Sequence, residues 1–287
     1  MSAPSFVTRV TEWYAGAARD LPWRRAGVSP WAVLVSEVML QQTPVVRVLP
    51  VWTVWLDRWP TPAALAAEPP GAAVRAWGRL GYPRRALRLH ATAVAIVDRH
   101  AGEVPSSVEQ LRALPGVGDY TAAAVAAFAF RARVAVLDTN VRRVYARVFE
   151  GVDDASGTPT VGERRAALDR VPAEPSTYGV AVMELGALVC TARAPRCRDC
   201  PVAHQCGWLA RGRPAPQVPR RGQSYVGTDR QARGRLLGVL RESAEPVAAT
   251  ALDVVWDDAA QRARALDGLV ADGLVQPLAD GRYRLPA

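Results

Sequence analysis

No lysine occurs anywhere in the 287-residue chain, and all 36 basic residues are arginine. A side-chain amine able to form a Schiff base is therefore excluded, and so is any reaction that needs one. The bias has the character of codon drift, but the chemical consequence holds whatever its origin. Asparagine is almost missing too: Asn140 is the single copy. The uncharged apolar stretches are too short or too interrupted to span a bilayer, which argues against a membrane partner. Cysteine is scarce, with four copies, all between positions 190 and 206. The N-terminus does not read as a secretory leader, so the chain is expected in the cytoplasm, where disulfides are disfavoured.

What is present narrows the class. Hydrophobic residues make up 49% of the chain, which suits a large folded core and more than one domain. The net charge is +9 and the pI about 10.1, pointing to a polyanionic partner. That charge is uneven. Residues 1–223 hold 28 arginines against 18 acids, and residues 224–287 hold 8 against 9. The basic surface therefore belongs to the first part of the chain.

Residues 5–210 read as helices joined by short turns. Ser29-Pro30 has the form of a helix start, followed by the apolar run Trp31 to Leu40, which Pro44 interrupts. Further helices are expected near 62–79, 83–100, 106–114, 121–130, 138–149 and 177–189, with a β-like run at 134–137. Trp13, Trp52, Trp55, Trp59 and Trp77 are assigned to the core. Residues 213–223, rich in Pro, Arg and Gly, form a linker. Helices at 230–241, 247–254 and 258–271 follow. A hairpin of 274–278 and 282–285, turned by Asp280-Gly281, then suggests a winged helix.

The four cysteines, Cys190, Cys197, Cys200 and Cys206, are spaced C-x6-C-x2-C-x5-C. All-cysteine ligation of one iron–sulfur cubane fits four thiols confined to so short a stretch. A structural zinc site is the alternative, although such sites usually use two C-x2-C hairpins and only one is present.

Two carboxylates stand in unlike settings. Glu37 is the only ionisable side chain between Arg25 and Arg47, with Val33, Leu34 and Leu40 as helical neighbours. An acid in such a place is expected to hold its proton near neutrality. The alternative is a glutamate on the wet face of a core helix, beside Gln41. Asp138 occupies an N-cap position before Thr139-Asn140-Val141-Arg142-Arg143, where backbone N–H groups and the helix dipole favour the anion. A plain cap is the alternative there. A proton donor and a stable anion are the pair needed to break a bond at a sugar's anomeric carbon.

The turn Leu114-Pro-Gly-Val-Gly118 joins two helices, and its glycines allow close approach of a phosphate. In combination with Leu21-Pro-Trp-Arg24, Ser36-Glu-Val-Met-Leu-Gln-Gln-Thr43, Leu80-Gly-Tyr82, Leu137-Asp-Thr-Asn-Val-Arg-Arg143, Glu184-Leu-Gly-Ala-Leu-Val-Cys190 and the cysteine spacing, the chain resembles the helix-hairpin-helix DNA glycosylases. Within them it is similar to the MutY-type adenine DNA glycosylases, over roughly residues 8–210.

The resemblance implies an all-α, two-lobed helix-hairpin-helix fold with a [4Fe-4S] loop and DNA in the cleft, plus a small C-terminal winged-helix-like α+β domain. The glycosylase region is then 1–212, with a six-helix lobe at about 26–134 and an iron–sulfur lobe of about 1–25 plus 135–212; the last domain is 224–287. Adenine would be flipped out of a mismatched duplex. Glu37 would protonate it, and Asp138 would stabilise the sugar cation, with Tyr120 and Asn140 nearby. Trp23, Arg24, Leu40, Gln41, Gln42 and Tyr82 would meet bases. Gly116, Gly118, Arg196 and Arg198 would meet the DNA backbone, and Arg142 and Arg143 would also bind the DNA. Cys190, Cys197, Cys200 and Cys206 would hold the cluster. A monovalent cation at the hairpin, a monomeric state and a place on the nucleoid are also implied. Tyr120 stands where lyase relatives carry their lysine, so a monofunctional hydrolase is expected.

Three departures matter. Val180 stands where relatives carry Gln or Glu facing the adenine, and Pro83 replaces a second aromatic. Residues 224–287 are too few for the Nudix-like domain that reads 8-oxoguanine in many relatives, so looser opposite-base discrimination is expected. The alternatives left open are a glycosylase for thymine or uracil opposite guanine, a non-catalytic DNA-binding protein and an electron-transfer protein.

Overall fold

The computed structural model describes residues 5–155, 157–175, 177–215 and 225–287. Most of the expected linker, residues 216–223, lies outside the described residues. In chain order the helices are α1 (Phe6–Ala17), α2 (Pro30–Leu40), α3 (Val45–Arg58), α4 (Pro62–Ala66), α5 (Pro70–Ala76) and α6 (Arg84–His100), then α7 (Val108–Arg112), α8 (Asp119–Phe130) and α9 (Thr139–Tyr145). Helix α9 runs on as a π-helical turn over Ala146–Glu150, before α10 (Val161–Asp169), α11 (Tyr178–Leu188) and α12 (Gly207–Ala210). The C-terminal part holds α13 (Asp229–Glu242), β1 (Val247–Ala248), α14 (Ala249–Asp253), α15 (Ala259–Ala271), β2 (Gln276–Pro277) and β3 (Arg282–Arg284). The all-α class with one small sheet is as the sequence implies. The β-like run 134–137 is extended without strand pairing among the described residues, and the single helix expected at 62–79 is two, parted at Pro69-Pro70.

Local chemistry sets the helix ends. Ser5, Thr61, Asp138, Thr160 and Asp258 each accept a backbone N–H from the first turn of the helix they precede. Helix α6 ends at Ala101, whose left-handed φ of 52° lets its N–H return to the Ile96 carbonyl.

The backbone divides into two compact units, residues 1–33, 106–111 and 118–220, and residues 34–105, 112–117 and 221–287. In the first, α1, α9 and α11 close over a core that includes Phe6, Val10, Val144, Val182 and Leu185. Apolar residues on α9 and α11 fall at 141, 144, 145, 148 and 178, 181, 182, 185, a helical spacing that turns one stripe inward. In the second, Trp55, Trp59 and Trp77 are fully buried and meet edge to face, with ring centroids 4.7 and 5.8 Å apart.

The C-terminal residues share the second unit. Strands β1 and β2 both pair antiparallel with β3, giving the order β1-β3-β2 of a wing. This part packs onto α5. Arg75 Nη1 donates to the carbonyls of Arg241 (2.5 Å) and Ser243 (2.6 Å) at the end of α13, and Arg241 Nε returns a bond to the Val74 carbonyl at 2.9 Å. Gly71 N donates to the Pro286 carbonyl at 2.8 Å. A β-carbon at Gly71 would run into that carbonyl and stand 3.0 Å from Leu285 Cβ. Gly71→Val is thus expected to lower stability by about 1–3 kcal/mol through overpacking. Gly16, with open space around it in α1, should tolerate or gain from Gly16→Ala by up to about 1 kcal/mol. Denaturant titration of the two variants checks the opposite signs.

Candidate active site

Asp138 lies where the extended run meets α9. Its φ and ψ of −85° and 177° are extended, so its side chain folds back over the first turn. Oδ1 accepts the Val141 N–H at 2.6 Å, and Oδ2 accepts Asn140 Nδ2 at 2.8 Å. Asn140 Oδ1 in turn accepts Arg143 Nη2 at 2.8 Å, and Arg143 Nε reaches the Cys190 carbonyl at 2.7 Å. A continuous series of hydrogen bonds therefore runs from the carboxyl to the backbone of the first cysteine.

The direction of the Asp138 shift departs from the sequence expectation. Burial is the largest influence on Asp138 and pushes its pKa up; the bonds from Val141 and Asn140 and the nearby Arg143 charge oppose this without overcoming it. The N-cap geometry is as expected, but the desolvation of the carboxyl outweighs the cap.

Gly186 of α11 makes room for this arrangement. A β-carbon there would stand 2.7 Å from Asn140 Cβ and 2.8 Å from its carbonyl oxygen. At Gly179 on the same helix the nearest atom, Phe128 Cε1, would be 3.4 Å away. Gly186→Ala should therefore loosen the start of α9 and raise hydrogen exchange at the Val141 amide by roughly tenfold or more, whereas Gly179→Ala should leave it near wild type. Equal exchange in both variants would contradict this packing.

Other expected residues of the first unit divide by exposure. Tyr120 is half-buried in the first turn of α8. Trp23 is buried, and Arg24 Nη1 bonds Glu184 Oε2 at 2.9 Å. Glu184 is also gripped twice by Arg19, at 2.6 and 2.7 Å. Burial pushes the Glu184 carboxyl up, but Arg19 and Arg24 together hold it below the usual glutamate value. Arg142 and Arg143, expected to bind DNA, are instead occupied by partners within the fold. Both are buried, Arg142 on Glu163 (2.5 and 3.0 Å) and the Gly157 carbonyl (2.6 Å), Arg143 as described. Arg196 and Arg198 are exposed, and Arg196 bonds the Leu188 carbonyl at 2.6 Å. Val180 is half-buried on α11.

Cys190, Cys197, Cys200 and Cys206 line a single cavity with Val144, Val148, Leu185, Val202 and Trp208. Among the described residues, no three Cys, His, Asp or Glu side chains form a group that could hold a metal ion. Four cysteines around one cavity are the ligand type taken by an iron–sulfur cluster or a zinc ion. Burial pushes Cys200 up to about 11, so a bound group would have to displace its proton. Arg147, overlooked in the sequence, is 1% exposed; its Nη1 lies 3.4 Å from Cys190 Sγ, and its guanidinium covers Trp208 at 4.4 Å. An arginine inside the apolar stretch Val144 to Val148 was the available signal.

In the second unit, Glu37 is 5% exposed on α2, between buried Val33, Leu34, Val35 and Val38. After α2 the chain turns through half-buried Gln41 and exposed Gln42, whose φ is 52°. Tyr82 is 51% exposed with φ 57°. Gly116 has φ 76°, and a β-carbon there would meet Arg88 Cβ at 2.7 Å. Gly118, in the first unit, has an ordinary φ of −93° and no atom within 4 Å of a β-carbon position.

Residues 35–170 match the HhH-GPD superfamily of base excision DNA repair proteins. A protein of Mycolicibacterium smegmatis named adenine DNA glycosylase is 56% identical over 274 residues, which cover 95% of this chain and 93% of that one. A thymine/uracil-DNA glycosylase of Pyrobaculum aerophilum is 34% identical over 208 residues, 69% of this chain and 89% of that one. The solved structure of a thermostable thymine-DNA glycosylase superposes with a TM-score of 0.67 at 25% identity, over 72% of this chain and 95% of that one. The chain belongs to the HhH-GPD superfamily of base excision DNA repair proteins, within its family of adenine DNA glycosylases.

Proposed function

We propose that the chain is a monofunctional glycosylase that releases adenine mispaired with guanine or 8-oxoguanine in duplex DNA. The buried carboxyl of Glu37, on the mostly apolar helix α2, carries this reading, because adenine leaves a sugar readily only after ring protonation. Thymine and uracil need no such proton, which sets this reading above the pyrimidine alternative. No helix of the described residues is long and apolar enough to cross a membrane.

In the proposed reaction Glu37 gives its proton to N7 of the flipped adenine. The C1′–N9 bond breaks, its electron pair leaves with the base, and positive charge forms on the sugar. The ionised Asp138 stabilises that charge; its low-polarity setting strengthens the attraction. Water adds at C1′ and gives up a proton, leaving an abasic site. The raised pKa of Asp138 sets the acid side of the reaction: as pH falls through it, the anion and the rate are lost together.

The cavity of four thiols suits a [4Fe-4S] cluster on Cys190, Cys197, Cys200 and Cys206, which would fix the loop bearing the exposed Arg196 and Arg198 against DNA phosphates. Gly118 is exposed, with open space where a side chain would stand, which suits the approach of a further phosphate to the start of α8, with a monovalent cation at the turn.

A base-release assay on mispaired duplexes tests the reading. Glu37→Gln and Asp138→Asn should each lower single-turnover release by roughly a thousandfold or more while retaining duplex binding. Release of thymine in place of adenine would contradict it. With no lysine present, borohydride should trap almost no covalent adduct. Lacking a Nudix-like domain, the chain should cleave A opposite G and A opposite 8-oxoguanine at comparable rates, and a wide margin for the latter would refute that part.

A further inference from the structure

Two exposed side chains of the second unit stand on backbone that L-residues rarely adopt. Gln42 has φ 52° and Tyr82 φ 57°, and neither is glycine. Such conformations persist only where the surroundings enforce them. An exposed aromatic ring and an exposed amide held this way have the chemistry of a wedge, since a ring enters a base step and an amide fills the space a flipped base leaves.

One buried side chain reaches both segments. Arg85, 7% exposed on α6, donates from Nη1 to the Val38 carbonyl at 3.1 Å and to the Gln41 carbonyl. Its Nη2 donates to the Gly81 carbonyl at 3.1 Å and lies 3.5 Å from Thr43 Oγ1. The guanidinium also sits over the Tyr82 ring, 4.8 Å from its centroid. The residues on either side of Gln42 and the residue before Tyr82 are thus fixed by one planar fork. Trp77 Nε1, at 3.2 Å, shares the Gly81 carbonyl.

We infer that Arg85 is a positioning residue that holds the Gln42 turn and the Tyr82 turn in one fixed arrangement, so that the two side chains enter stacked DNA together. The inference rests on the glycosylase reading. Arg85 touches neither the base nor the sugar in this scheme. Its contribution is to the opening of the stack, not to bond cleavage, and this separates it from an arginine that merely completes a core. A lysine at the same place keeps the charge but is a single point, unable to serve carbonyls on both segments.

The test compares single-turnover adenine release from a stacked A·G duplex with release of the same adenine from an unpaired bubble, where the stack is already open. Release from the bubble by the wild-type chain checks the underlying reading separately. Arg85→Met and Arg85→Lys should both slow release from the duplex by roughly tenfold or more, and from the bubble by less than about threefold, because a misplaced wedge affects only the stacked substrate. Equal losses on both substrates would overturn the inference, as would full activity of Arg85→Lys. Should the Arg85 variants not fold, Gln42→Ala and Tyr82→Ala, both at exposed positions, decide the matter. Duplex-selective losses in both support the wedge, and unchanged duplex release in both overturns it.

Discussion

The structure around the start of α9 depends on a part-buried carboxyl tied down by hydrogen bonds that lead away from the solvent. Asp138 is bonded by Val141 and Asn140, Asn140 by Arg143, and Arg143 by the carbonyls of Cys190 and Gly186. Each member has its polar atoms occupied by the next, which is the condition under which a buried polar network rigidifies rather than destabilises. Breaking a buried charged member costs several kcal/mol, about 3–5 in comparable cases, because its partners are left unsatisfied. Placement of α9 against α11, the small residue at 186 and the position of the first cysteine all follow from this one network.

A lysine-free composition, which on its own looks like genomic drift, has a structural side. Arg85, Arg143 and Arg147 are each buried, and each bonds two or more backbone carbonyls from separate segments. Only a planar fork does this; an ammonium concentrates its donors at one point and is more strongly hydrated. The same absence that removes the Schiff-base route therefore coincides with an interior whose irregular turns are joined by guanidinium groups. The net positive charge of the chain consequently overstates what faces DNA, since part of it is turned inward.

Helix positions and caps were legible because they depend on local patterns: Ser29-Pro30, Asp138 with its i+3 amide, and the apolar stripes of α9 and α11. The split of 62–79 was legible only in hindsight, at Pro69-Pro70. Glu37 and Glu184 show the limit for sites. Each is the one acid of an apolar helix, and the arginines that clasp Glu184, Arg19 and Arg24, lie far along the chain, so nothing local reveals them. The burial of Arg142 and Arg143 was out of reach for the same reason, as their partners, Glu163 and the Cys190 carbonyl, are tertiary. The sign of the Asp138 shift was also out of reach. The cap is local and readable, whereas burial, the larger influence, is set by the fold. The packing of the C-terminal residues on α5 depends on Gly71 and Arg75, which carry no mark of it in sequence.

Burial of Asp138 has a thermodynamic sign that can be read directly. A native carboxyl whose pKa lies above its unfolded value binds its proton more tightly when folded. Its contribution to stability is then fully present below the unfolded pKa and is lost as pH rises through the native one. The most direct test is to follow the Asp138 carboxyl carbon by NMR as pH is varied, in the folded protein without DNA. A midpoint above the ordinary aspartate value of 3.8 is expected. A midpoint at or below that value would show that the cap governs the site, and that the desolvated carboxyl at the centre of this description is absent.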